Sequence, residues 1–227
     1  MHIEPGVVNS AKLVLSYATA AGAAGIAAKL AYSDIKNNGG ISSLMVRSIA
    51  TTALVFSFFE VFPHYPIGVS EVHFILGSTL FLIFGAGPAA IGLALGLFAQ
   101  GVFFAPFDLP QYGMNITTLI VPLIAVNALA GKIIPARTAY KDASYKQALA
   151  LSTAYQGGIV AWVAFWAFYG NGFGAENLAQ IGTFGIAYMS VIIIEPVLDL
   201  AVLAAAKSFG QLERSGFFNR RLYSPGA

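Results

Sequence analysis

The chain contains no cysteine and only three histidines in 227 residues. Without cysteine there can be no disulfide, no thiolate metal ligand and no thiol nucleophile. Charge is scarce as well. Asp, Glu, Lys and Arg make up 10% of the residues, against about 25% in soluble domains. No GxxxxGK[ST] phosphate loop and no nucleotide-binding domain are visible, so the chain carries no apparatus of its own for hydrolysing ATP. Its acids, hydroxyls and histidines form no catalytic constellation of recognisable spacing, which argues against an enzyme.

What is abundant is apolar sequence. The composition is 57% hydrophobic with a mean hydropathy of +0.74, and the apolar residues come in long continuous blocks. Blocks of about 20 such residues are the mark of transmembrane helices, whereas a membrane β-barrel shows alternating segments of roughly ten. The sequence therefore predicts an all-α integral membrane protein with about seven spans. They lie near Val7–Tyr32, Leu44–Phe62, Phe74–Phe84, Pro88–Phe104, Met114–Ile134, Gln147–Tyr169 and Ile181–Lys207. The third is short and meets the fourth at a tight turn, Gly85–Ala86–Gly87–Pro88. No soluble domain or low-complexity linker interrupts residues 1–227, which read as one transmembrane domain with a terminal segment 1–6 and a basic tail 208–227.

Positive residues choose the orientation, because short cytoplasmic loops concentrate Lys and Arg. With the amino terminus outside and the carboxyl terminus cytoplasmic, the inner segments hold Lys29, Lys36, Arg47, Lys132, Arg137, Lys141, Lys146, Lys207, Arg214, Arg220 and Arg221, and only Lys12 falls outside. The same assignment gathers His2, His64 and His73 on the outer side, with Glu4, Glu60, Glu71, Asp108 and Glu176. Such a face attracts cations and offers nitrogen and oxygen donors to a transition metal. The amino terminus lacks the basic start of a cleavable signal, and its apolar run exceeds a signal core of roughly 7–15 residues. Met1 and His2 are expected to survive in the mature protein.

A histidine at position 2 has a particular chemistry. The terminal amine, the next peptide nitrogen and the imidazole can all reach one ion, and a further imidazole completes four nitrogens in a plane. That geometry suits nickel(II) or copper(II), while zinc favours tetrahedral sites.

The start MHIxxG, the later GVSEVHFILGS, the glutamine of LFAQG (Gln100) and the segment YGMNITTLIVP, with Gly113 and Asn115, occur in order along the chain. In these pieces the sequence resembles the CbiM/NikM family, the substrate-specific (S) membrane component of cobalt and nickel energy-coupling-factor (ECF) ABC transporters. The resemblance covers roughly residues 1–130; the last two helices match only in being hydrophobic. It implies that Met1 supplies its amine, His2 its amide and ring nitrogens, and His73 the fourth ligand. Asn115 and Gln100 become groups that orient the terminal segment or the ligands by hydrogen bonds, and Gly6 lets the segment turn into the pocket. A terminus used in this way tolerates no extension before Met1.

The sequence departs from the family in three places. Glu4–Pro5–Gly6 shifts an acid and inserts a proline, GVFFAPFDLPQYG replaces a glycine-rich loop, and Glu71 places a carboxylate two residues from His73. These leave nickel against cobalt open. His64, in the proline-bounded FPHYPIG, is expected to be solvated or packed on aromatics, or else a ligand on the ion's entry path.

The resemblance also implies Ni2+ or Co2+ as transported substrate, no organic cofactor, and partners that hydrolyse ATP. These are a transmembrane coupling (T) subunit, two ATPases and a possible small accessory membrane subunit, in a bacterial or archaeal cytoplasmic membrane, in a setting linked to cobalamin biosynthesis. Ala20, Ala24 and Ala28, spaced for close helix approach, pack internally or dock that T subunit. Gly92 and Gly96 share the same spacing. Glu195 and Asp199 share one helix face toward the inner end near Lys207, as a structural pair, a docking contact or a cation path. The competing function is a structural or assembly subunit of a larger membrane complex that lacks transport.

Overall fold

The computed structural model describes Ile3 and residues 6–8, 11–208 and 215–225. The helices are α1 (Leu13–Asn37), α2 (Gly40–Glu60), α3 (Gly77–Phe84), α4 (Ala86–Phe103), α5 (Tyr112–Ile133), α6 (Tyr145–Asn171), α7 (Ala175–Met189), α8 (Glu195–Ser208) and a short α9 (Arg220–Tyr223). A two-stranded antiparallel hairpin, β1 (Tyr65–Ile67) and β2 (Ser70–Val72), stands between α2 and α3. Inside a bilayer only helices and closed barrels satisfy their own backbone groups, and the long apolar runs take the first solution.

Among the described residues six helical stretches are long and apolar enough to cross a membrane, not about seven. The expected third span is the difference. α3 has eight residues, about 12 Å at 1.5 Å per residue, against a hydrocarbon core of about 30 Å. Every residue of it is buried, among α4, α5, α6 and α8. The non-helical residues before it are thus shielded from lipid by protein, the condition under which irregular backbone is tolerated at membrane depth. Gly85 (φ 89°) alone joins α3 to α4, so the expected four-residue turn shrinks to one residue in a conformation natural to glycine.

Two further boundaries move. The first span begins at Leu13, not Val7, because Val7 and Val8 are buried in a bend that crosses the end of α6, where a Cβ on Gly170 would overlap the Val7 carbonyl. The last span breaks into α7, a 3-10 turn at Ser190–Ile193, and α8. Pro196 lacks an N–H and disfavours helix at the residue before it. The Val197 and Leu198 amides both turn back to the Ile194 carbonyl.

α2 packs on α4 and α5 on α6. Gly92 and Gly96 face Thr51 and Val55 of α2 so closely that a Cβ could not be added, which makes that small-residue pair an internal contact. α1 is different, since Ser16, Ala23 and Asp34 are its buried residues, whereas most of α4 is buried. On it Ala20 is half-buried, and Ala24 and Ala28 are exposed.

Adjacent spans alternate in direction, so the ends of α2, α4 and α6 share one end of the bundle with the hairpin, here the histidine end. The opposite, basic end holds Lys36, Lys132, Arg137, Lys141, Lys146, Lys207, Arg220 and Arg221. Arg47, expected among the loop cations, is instead fully buried. Its Nη2 lies 2.5 Å from Asp34 Oδ2 and 3.0 Å from the Asn38 carbonyl, and its Nη1 lies 3.2 Å from Asp34 Oδ1 and 2.6 Å from the Phe84 carbonyl. A fork of donors meeting a carboxylate and two helix-end carbonyls clamps α1, α2 and α3 together.

Candidate metal centre

The hairpin sequence IGVS makes a two-residue turn with Gly68 first at φ 64°, the position at which this kind of turn demands glycine. The register pairs Tyr65 with Val72 and Pro66 with Glu71, so positions 64 and 73 fall opposite each other just beyond the strands. Their imidazoles stack, with centroids 4.8 Å apart and planes 6° from parallel. Glu71 lies between them, its Oε2 3.8 Å from His64 Nδ1 and 3.5 Å from His73 Nε2. These distances are too long for hydrogen bonds.

Among the described residues His64, Glu71 and His73 are a trio able to hold a metal, with donor atoms all within 4.8 Å of one another. Opposite donors on a first-row ion with bonds of about 2.1 Å span at most about 4.2 Å. The trio would close by a fraction of an ångström to share one ion. Side-chain exposure falls from 38% at His64 to 22% at Glu71 and 0% at His73, so the group descends from solvent into the protein. His73 is walled by Phe59, at 4.8 Å between ring centroids.

The terminal segment is tied to this strand. Ile3 is buried, forms an antiparallel bridge with Ser70, and donates its N–H to Asn115 Oδ1 at 2.9 Å. Gly6 turns at φ 95°, and Lys12 donates to the Tyr169 and Gly170 carbonyls at 2.7 and 3.1 Å. Gly113 lies against Ser16, where a Cβ would come within 3.0 Å of backbone, so α5 carries Asn115 close to α1. Gln100 is buried, and its Oε1 has no hydrogen-bond partner among the described residues, an orphan acceptor of the kind that marks a polar site. Met1, His2 and Glu4 lie outside the described residues.

Sequence reasoning left His64 apart from His73, although the Gly68–Val69 turn and the equal spacing of the two histidines about it carried the signal. It missed Ser70 and Phe59. It also placed Glu195 and Asp199 near Lys207, and the fold corrects this. Lys207 pairs with Asp142 at 3.2 Å, while both acids are buried against α3 and α6. Glu195 Oε1 and Asp199 Oδ2 each lie 3.0 Å from Ser78 Oγ, Thr79 donates to Asp199 Oδ1, and Ser152 donates to Glu195 Oε2. Gln156 Nε2 reaches Glu195 Oε2 at 2.7 Å and the Ile75 carbonyl at 2.9 Å.

Comparison with known proteins returns a consistent picture. The crystal structure of a truncated transition metal transporter superposes with a TM-score of 0.70 at 18% identity, over 92% of this chain and 99% of that one, a likeness of fold. No curated protein matches. The family model described as the cobalt uptake substrate-specific transmembrane region matches residues 2–211, extending the resemblance read from the first 130 residues to the last helices. The chain, a multi-pass membrane protein, therefore belongs to the CbiM family of cobalt-uptake substrate-specific transmembrane regions.

Proposed function

We propose that the chain captures a divalent transition metal ion, Ni2+ or Co2+, at the histidine end of the bundle, as the substrate-binding subunit of an ECF-type importer. The observation that carries this is a buried imidazole, His73, at the base of an exposure gradient, with Ile3 fastened to the strand before it by Ser70 and to α5 by Asn115. Met1 and His2 would supply amine, amide and imidazole nitrogens, and His73 would close the set. Asn115 orients the terminal segment, and the unpartnered Gln100 carbonyl accepts from a ligand group or a bound water. His64 and Glu71 meet the hydrated ion first and guide it inward.

The histidine end faces outside and the basic end the cytoplasm, in accord with the charge asymmetry. The exposed Ala24 and Ala28 on α1, with Ala20 beside them, form the face on which a T subunit docks. Two partner ATPases supply the free energy, since no phosphate-binding loop is present here.

Nickel and cobalt titration of the purified protein tests the reading, beside His2→Ala, His73→Ala and a one-residue extension before Met1. Stoichiometric binding lost in all three supports the terminal chelate. Equal binding in all four proteins would overturn it and leave a structural or assembly role in a larger complex.

A further inference from the structure

The acids on α8 present a proton count that does not close. Five contacts of hydrogen-bond character surround the two carboxyls: Ser78 to Glu195 Oε1, Ser78 to Asp199 Oδ2, Thr79 to Asp199 Oδ1, and Ser152 and Gln156 to Glu195 Oε2. The surrounding side chains offer four hydrogens for them. Ser78, Thr79 and Ser152 carry one hydroxyl hydrogen each, and Gln156 commits its second amide hydrogen to the Ile75 carbonyl. Ser78 sits at 3.0 Å from one oxygen of each acid and can donate to only one of them. The other contact closes when a carboxyl carries a hydrogen and donates it to Ser78 Oγ.

The surroundings agree. Glu195 is 0% and Asp199 1% exposed, and among the described residues no basic side chain enters the network. α3 contributes Ser78 and Thr79, and α6 contributes Ser152, Gln156 and the Tyr155 phenol. α7 contributes the Tyr188 phenol, and the 3-10 turn at Tyr140–Asp142 holds Lys207 away through Asp142. Two bare carboxylates would place a double negative charge inside the hydrocarbon layer, which proteins avoid by pairing or neutralisation. An independent sign is that three buried polar atoms around the pair have no hydrogen-bond partner among the described residues: Gln156 Oε1, Tyr155 Oη and Tyr188 Oη. Both phenols lie within electrostatic reach of Glu195, and the Tyr155 ring tip packs on Gly77, next to Ser78.

We propose that Glu195 and Asp199 form a proton-binding site within the membrane, the two carboxyls holding one proton between them across Ser78. The proton belongs to the pair rather than to either residue. The site is separate from the metal reading and stands or falls without it.

Infrared spectroscopy of the full chain in phospholipid vesicles at neutral pH tests this directly. Wild type is expected to show the carbonyl stretch of one protonated carboxyl, downshifted in D2O and removed by Glu195→Gln with Asp199→Asn. Ser78→Ala keeps both acids and is expected to shift the band without removing it, and it carries the test should the double variant not fold. Absence of any band that these substitutions remove or shift overturns the proposal. So does a band lost when Na+ or K+ replaces choline, which would make the site one for a metal cation.

Discussion

Two polar clusters sit at opposite ends of this bundle, and they are built differently. At the basic end Arg47 and Asp34 are enclosed, with contacts of 2.5–3.2 Å and further bonds to the Phe84 and Asn38 carbonyls. At the histidine end Glu71 stands 3.8 Å from His64 and 3.5 Å from His73, on and just beyond a hairpin that is open to solvent at one side. The first cluster has every donor aimed at a fixed acceptor and so has no use for a ligand. The second spreads its donors along a gradient from solvent to interior, within 4.8 Å of one another. Enclosure separates the two clusters, and substitutions can test that distinction.

The largest effect is expected at the clamp. Arg47→Met strands the Asp34 carboxylate and should cost about 3–5 kcal/mol, read as a loss of thermal stability of the detergent-solubilised protein. Asp34→Leu added to it should recover most of that loss, and failure to recover would show that the arginine does more than neutralise Asp34. His73→Ala should instead leave the fold largely intact while weakening Ni2+ or Co2+ binding by more than about 100-fold, since an ion loses a direct ligand. A stability loss equal to that of Arg47→Met would erase the contrast between the two ends. Asn115→Ala, which frees the Ile3 N–H, should weaken metal affinity by about 10–100-fold, the usual reach of a group that orients a ligand, with Asn115→Asp restoring much of it. His64→Ala is expected to change equilibrium affinity by less than about tenfold, and to slow association in stopped-flow measurements. A larger drop in affinity would make His64 a ligand in its own right.

Much of this was legible along the chain, and the exceptions have physical reasons. Long apolar runs locate six span-length helices, because length and hydropathy are what a bilayer selects. α3 escapes that logic, since a helix enclosed by protein need not match the bilayer's thickness. The break before α8 was written in Pro196, yet hydropathy is blind to it. Ile3 and Asn115 meet across 112 positions, and no periodicity announces such a contact; only the likeness to a known family pointed to Asn115. Arg47 counted as a loop cation because its partner lies one helix away, and a charge pattern read along the chain does not see partners in space. The His64–His73 pairing was recoverable from the glycine turn midway between them.

Gln156 gives the molecule a mechanical property. Its amide nitrogen grips α8 through Glu195 with one hydrogen and the irregular segment leading from His73 into α3 through the Ile75 carbonyl with the other. The grip on α8 falls at its first residue, beside the proline that interrupts the last span. A swing of α8 about that interruption therefore pulls on a backbone atom two residues from His73, over a tether one side chain long. The amide would act as a crank pin, converting a tilt in the last helix into tension on the segment that carries His73.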